Sequence, residues 1–119
     1  MKVNKEGVLG ELFAARHMRD NGYMLVMSNY RCRFGEIDIV GKKDGYICFV
    51  EVKTRSENAI YEPKEAVHAE KQANIIAAAK AFRTVYPYTE QVRFDICEVF
   101  INDKTEPVKI NYIENAFNG

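Results

Sequence analysis

The sequence has no net charge, and this absence narrows the kinds of nucleic-acid binding it could support. Seventeen basic residues balance seventeen acidic ones, whereas a dedicated high-affinity nucleic-acid binder usually carries a basic excess. Any contact with nucleic acid must therefore come from a local patch. The basic residues that could supply such a patch are Arg31, Arg33, Lys42, Lys43 and Arg55.

Cysteines are few and long apolar runs are missing. The three cysteines are widely spaced, which fits neither a disulfide framework nor a zinc pattern and suits a reducing cytosol. No segment approaches the roughly 20 apolar residues that span a bilayer. The first residues include Lys2, Asn4, Lys5 and Glu6 and do not resemble a signal peptide. We therefore expect a cytoplasmic protein with no membrane partner.

The residues that are present predict one globular domain covering residues 1–119. A chain of 119 residues is long enough for one real core and too short for two ordinary domains. Its 47% hydrophobic and 29% charged residues are typical of a soluble folded protein.

Hydrophobic periodicity predicts a mixed α/β fold with one antiparallel meander. In the first helix, Val8, Leu12, Ala15 and Met18 recur at helical spacing, and Glu11 lies within that apolar stripe. Short turns join three strands, and a second helix then leads to one or two further strands. The predicted helices are residues 5–21 and 64–85, and the predicted strands are 23–30, 36–40, 46–53, 92–101 and 108–113. The polar loop 54–63, between the third strand and the second helix, is either a connector or a flap that contacts substrate.

Three charged residues in the meander point to a site. Alternation places Glu51 and Lys53 on one face of a strand, and Asp38 lies in the strand before it. Charges inside a sheet are costly unless they are paired or bound to a metal. Two carboxylates on adjacent strands could hold a magnesium ion, beside which Lys53 could orient a water molecule. Glu11 could reach the same site from the helix.

Ion pairing alone is the alternative interpretation of these charges. A Glu-x-Lys pair is common in a chain this rich in charge, and Asp38 could pair with Lys53, or Glu51 with Arg31. Three acids that converge on one lysine nevertheless leave an excess of negative charge. A metal ion would neutralise that excess.

Four short motifs together resemble a known family. They are GELFAARHM, GEIDIV, FVEVKTR and RFDICEV. In combination they resemble the YraN-type family of small bacterial endonuclease-like proteins, and through it the PD-(D/E)xK nucleases, the Holliday-junction resolvases above all. The resemblance covers the chain from Gly10 to Phe117. It implies a restriction-endonuclease-like fold: a helix, a three-strand meander, a helix and a further strand, with a central mixed sheet flanked by helices.

The resemblance also implies roles for individual residues. Glu11 corresponds to the superfamily's helix acid, Asp38 to its metal-binding aspartate, and Glu51 with Lys53 to its E-x-K motif. Ile37 stands where the nominal motif has proline. The implied activity is hydrolysis of DNA phosphodiesters with Mg²⁺ or Mn²⁺ as cofactor, including those of branched or recombining structures.

Two further expectations concern partners. Gln72 lies on the second helix where some superfamily members carry Gln-x-x-x-Tyr, although Ile76 replaces the tyrosine here. It is either a nucleic-acid contact, with Arg31, Arg33 and Arg55, or a satisfied amide on a helix face. A homodimer is plausible, because enzymes that cut junctions need two sites related by two-fold symmetry.

The alternative function is a non-catalytic nucleic-acid-binding or interaction module that retains the nuclease fold.

Overall fold

A five-stranded sheet lies between two helices in the computed structural model, which describes residues 5–58 and 68–119. The helices are α1 (Lys5–Asp20) and α2 (Ala69–Val85), and the strands are β1 (Met24–Cys32), β2 (Gly35–Lys43), β3 (Tyr46–Ser56), β4 (Gln91–Ile101) and β5 (Pro107–Phe117). The spatial order of the strands follows the sequence. Neither helix is long and apolar enough to cross a bilayer.

The sheet is mixed because one connection contains a helix. Strands β1, β2 and β3 pair antiparallel, β3 and β4 pair parallel, and β4 and β5 pair antiparallel again. A parallel pair needs a crossover, and α2 lies in the connection between β3 and β4. The predicted α/β class, the meander and the central mixed sheet flanked by helices are confirmed.

Alternation along the central strands gives each helix its own core. On one face, Met18 of α1 packs in a cluster with Val50 and Val99; on the other, Phe82 of α2 packs edge-on against Phe49 with ring centroids 5.8 Å apart. Glu51 and Lys53 alternate with Val50, so their side chains leave β3 on the α2 face.

Several boundaries differ from the predicted ones. Strand β3 continues to Ser56, because its parallel pairing with β4 runs that far, so the first part of the predicted loop 54–63 is strand. The rest of that loop, from residue 59, lies outside the described residues, as does the start of the predicted helix 64–85. Within the described residues, α2 begins at Ala69, because His68 before it has an extended backbone. Strand β5 is longer than predicted and ends at Phe117.

The predicted apolar stripe of α1 is wrong at two positions. Val8 is 48% exposed and Leu12 58% exposed, while Ala14 and Met18 are fully buried. The helix turns this face to the sheet because Gly10 allows a close approach: a Cβ at residue 10 would overlap the Thr54 hydroxyl. Small residues therefore line the contact, and Glu11, next to Gly10, is carried to the sheet.

Replacing Gly10 with alanine tests this close approach. Alanine is favoured over glycine inside a helix by roughly 0.5–1 kcal/mol, so propensity alone predicts stabilisation. We expect the overlap with Thr54 to dominate, and Gly10→Ala to lower the free energy of unfolding by about 1–2 kcal/mol in urea titrations. The double variant with Thr54→Ala should recover most of the loss. Stabilisation by Gly10→Ala alone would contradict the close packing.

Candidate functional site

The site begins where β2 and β3 part. The regular pairing of these strands ends at Ile39 and Val50. Beyond that point the Val52 N–H donates to Asp38 Oδ2 at 2.8 Å. A side-chain carboxylate therefore accepts the hydrogen bond that a backbone carbonyl would accept in a regular strand pair. This bond fixes the Asp38 carboxylate beside β3. Burial raises the pKa of Asp38, and the Val52 hydrogen bond opposes that rise.

Glu51 is the most buried acid of the site. The residue is 5% exposed, and its Oε1 lies 3.8 Å from Lys53 Nζ and 3.6 Å from Lys71 Nζ. Its Oε2 is buried with no hydrogen-bond partner among the described residues. Burial raises the pKa of Glu51, and the charge of Asp38 adds to the rise, whereas Lys71 and Lys53 oppose it. The site therefore holds a buried carboxylate with one oxygen unsatisfied.

A second set of acids lies against Asp38. Glu11 from α1, Glu36 and Asp38 each place a carboxylate oxygen within 4.8 Å of the others. Burial raises the pKa of Glu11, and the charge of Asp38 raises it further. The structure therefore brings the predicted Glu11 to Asp38 and adds Glu36, which the sequence analysis missed. Glu36 is two residues before Asp38 in β2, and alternation could have indicated it.

The ion pairs of the site differ from the two that the sequence suggested, Asp38 with Lys53 and Glu51 with Arg31. Among the described residues, Glu51 pairs with Lys53 of its own strand and with Lys71 of α2, and Arg31 Nε lies 3.7 Å from Glu36 Oε1. The pair of Lys71 with Glu51 could not be predicted, because the position of a helix over a sheet cannot be read from helix periodicity.

The predicted basic patch does not form as one surface. Lys42 and Lys43 lie at the turn between β2 and β3, at the other end of β2 from the turn between β1 and β2. Lys42 Nζ pairs there with Glu90 at 3.1 Å. These two lysines are therefore wrong as members of a patch with Arg31 and Arg33.

The remaining predicted contacts lie nearer the site. Arg33 stacks over the ring of Phe34, with its guanidinium carbon 4.7 Å from the centroid, and Phe34 is 41% exposed. Arg55 follows Lys53 on β3, with its Nε 3.9 Å from Glu98 Oε2. Gln72 is half-buried in the first turn of α2, next to Lys71. Their contact with nucleic acid stays a prediction.

Sequence comparison with known proteins identifies one family. The sequence model of UPF0102, an uncharacterised protein family, matches residues 10–99. A UPF0102 protein of Caldicellulosiruptor bescii is 40% identical over 98% of this chain and 100% of its own length. One from Clostridium perfringens is 39% identical, over 98% and 97%. Among solved structures, a repair endonuclease from Pyrococcus abyssi aligns with 88% of this chain and 42% of its own, at 16% identity and a TM-score of 0.48.

Proposed function

The chain belongs to the UPF0102 family, and from this premise we propose that it is a metal-dependent endonuclease that hydrolyses DNA phosphodiesters. One observation carries the proposal: Glu51 is almost fully buried with an unsatisfied oxygen, beside the Asp38 carboxylate and two ammonium groups. The sequence resemblance to the PD-(D/E)xK nucleases assigns the same residues to catalysis.

The acids fit a hard divalent cation. A buried charged oxygen without a partner is costly, and coordination to a metal removes that cost. Asp38 and Glu51 would hold the ion, with Glu11 and Glu36 close to Asp38 as further oxygen donors. A donor set made of carboxylates favours Mg²⁺ or Mn²⁺ over softer metals.

The lysines supply positive charge on the open side of the site. The Lys53 side chain is 28% exposed and the Lys71 side chain 47% exposed, so both can reach a bound molecule while they remain near Glu51. We assign Lys53 to holding the attacking water and to stabilising the charge that develops on the phosphate. When bound, Mg²⁺ would act as a Lewis acid on the phosphate and lower the pKa of that water.

DNA as the substrate is supported by the residues around the site. Arg33 and Phe34 form an exposed pair of a cation and an aromatic ring at the turn between β1 and β2, which suits contacts with a phosphate and a base. Arg31, Arg55 and Gln72 are the other proposed contacts. With so few cations, we expect a weak salt dependence of DNA binding, with a log–log slope of about −2 to −4.

Metal titration and cleavage assays test the proposal. We expect calorimetry to detect Mg²⁺ and Mn²⁺ binding, and expect cleavage of single-stranded, duplex or four-way DNA to require the metal. Lys53→Met should abolish cleavage, because it removes the ammonium beside Glu51. Lys42→Met is the matched control, because Lys42 pairs with Glu90 away from the site, and its cleavage rate should stay at the wild-type value.

Two results would contradict the proposal. One is the absence of metal binding; the other is DNA binding that depends on salt but never leads to turnover, which would identify the non-catalytic module instead. Symmetric cleavage of a four-way junction would support two copies acting together, and sedimentation of the DNA complex would then measure the proposed homodimer.

A further inference from the structure

Asn29 has an unusual backbone conformation beside the acidic cluster. Its φ is 54°, in the left-handed region, although it lies inside β1. Its neighbours Ser28 and Tyr30 keep regular pairing with Ile39 and Ile37 of β2. Left-handed residues other than glycine cost free energy, and asparagine tolerates this conformation better than most. A residue keeps such a conformation inside a strand only where contacts of the surrounding structure compensate for its cost.

The Asn29 amide lies between two acids. With its nitrogen turned toward the cluster, the amide donates to Glu36 Oε1 at 3.1 Å and to Glu11 Oε2 at 3.2 Å. One NH₂ group thus joins three elements, since Asn29 is in β1, Glu36 in β2 and Glu11 in α1. Both donated hydrogen bonds go to carboxylates that crowd Asp38.

Arg31 contributes to the same arrangement. Its Nε approaches Glu36 at Oε1, the oxygen to which the Asn29 amide also donates. At Glu11 the amide donates to Oε2. A neutral donor between two carboxylates holds them close without adding charge, and it favours their ionised forms, which a cation requires.

We propose that Asn29 is a positioning residue, which holds the Glu11 and Glu36 carboxylates in the orientation in which they bind a divalent cation together with Asp38. This inference rests on the proposed function, because it assigns Asn29 to the same metal centre. Outer residues that orient metal ligands by hydrogen bonds typically contribute 10–100-fold to metal affinity.

The test is the Asn29→Gly variant. Glycine adopts the left-handed conformation freely, so the backbone of β1 is retained and only the amide is lost. Asn115→Gly is the matched control: Asn115 has φ 51° in β5, and its backbone N–H donates to Asp95 Oδ1 at 2.9 Å, which glycine preserves. We expect calorimetry to give a Mg²⁺ dissociation constant at least about tenfold weaker for Asn29→Gly and unchanged for Asn115→Gly.

Melting in EDTA separates positioning from a purely structural role. We expect both glycine variants to melt close to the wild type without metal, while Mg²⁺ raises the melting temperature of Asn29→Gly less than that of Asn115→Gly. Wild-type Mg²⁺ affinity in Asn29→Gly would overturn the inference and leave the proposed function standing. A large loss of metal-free stability in Asn29→Gly alone would also overturn it. If the wild type binds no Mg²⁺, both the inference and the proposed function fail.

Discussion

Glu51→Gln is expected to abolish Mg²⁺ binding and DNA cleavage while making the metal-free protein more stable at pH 8. Glutamine has the shape of glutamate without its charge. The loss of cleavage should be about 10³-fold or more, because a bound metal contributes several kcal/mol of charge stabilisation to such a reaction. Stability should rise because the charge of Glu51 is buried beside Asp38 with one oxygen unsatisfied.

The direction of the stability change follows from the pKa of Glu51. Burial, and then the charge of Asp38, raise this pKa from 4.5 to about 7, so the folded protein holds the proton more tightly than the unfolded chain. Ionised Glu51 therefore lowers stability progressively as the pH rises from about 4.5 to about 7, and fully above that range. One pKa unit corresponds to about 1.4 kcal/mol, so we expect Glu51→Gln to gain about 3 kcal/mol at pH 8 and little at pH 4.

Urea unfolding in EDTA at the two pH values measures this difference, and calorimetry measures the loss of Mg²⁺ binding. Glu90→Gln is the control, because Glu90 also pairs with a lysine, Lys42, but lies away from the site; Mg²⁺ binding should be unchanged. If Glu51→Gln were instead less stable at pH 8, the pairs of Glu51 with Lys53 and Lys71 would be structural, and the ion-pair interpretation of these charges would be favoured.

The fold was predictable because its signals are local. Alternation in β3 correctly placed Val50 in a core and Glu51 with Lys53 on the opposite face. The mixed sheet was implied by the family resemblance, and it forms because α2 lies in the connection between the parallel strands β3 and β4. The buried face of α1 was not predictable, because hydrophobic spacing favours Val8 and Leu12, whereas the packing is decided by Gly10 against Thr54. That contact joins residues far apart in sequence.

Some residues of the candidate site were likewise predictable from local pattern, and others depend on contacts between distant parts of the chain. Asp38, Glu51 and Lys53 are close in sequence and follow from strand pattern and motif. Glu11 was indicated by its motif, whereas its approach to the sheet depends on the packing of Gly10 against Thr54. The role of Lys71 depends on how α2 lies over the sheet, and that of Asn29 depends on a left-handed backbone conformation inside β1. Residue spacing specifies neither.

The prediction of one basic patch was wrong for a related reason. Consecutive turns of a meander lie at opposite ends of the sheet, which separates Lys42 and Lys43 from Arg31 and Arg33.

Asp95→Ala is expected to be the most destabilising substitution outside the site. Asp95 is fully buried and accepts hydrogen bonds from Arg93 Nε at 2.9 Å, from the Tyr112 hydroxyl at 2.6 Å and from the Asn115 N–H at 2.9 Å. The guanidinium of Arg93 also donates to the Tyr23 hydroxyl at 2.6 Å. The Arg93–Asp95 pair is therefore the centre of a larger buried network.

Removing the carboxylate leaves Arg93, whose side chain is 11% exposed, without its main partner. Breaking a buried ion pair in this way costs about 3–5 kcal/mol, a large part of the roughly 5–15 kcal/mol that stabilises a typical domain. Tyr112→Phe is the graded control, because it removes one hydrogen bond of the same network and should cost about 1 kcal/mol. Urea titration of both variants measures the difference.

The Asp95 network lies on the α1 face of β4, opposite the α2 face that carries Glu51, because Asp95 alternates with the α2-side residues Phe94 and Ile96. Asp95→Ala should therefore reduce stability and leave the Mg²⁺ dissociation constant of the folded protein unchanged, whereas Glu51→Gln should do the reverse. Loss of Mg²⁺ binding in Asp95→Ala at a temperature where it is still folded would mean that the two faces are coupled. A loss of stability below 1 kcal/mol would show that Arg93 finds another partner.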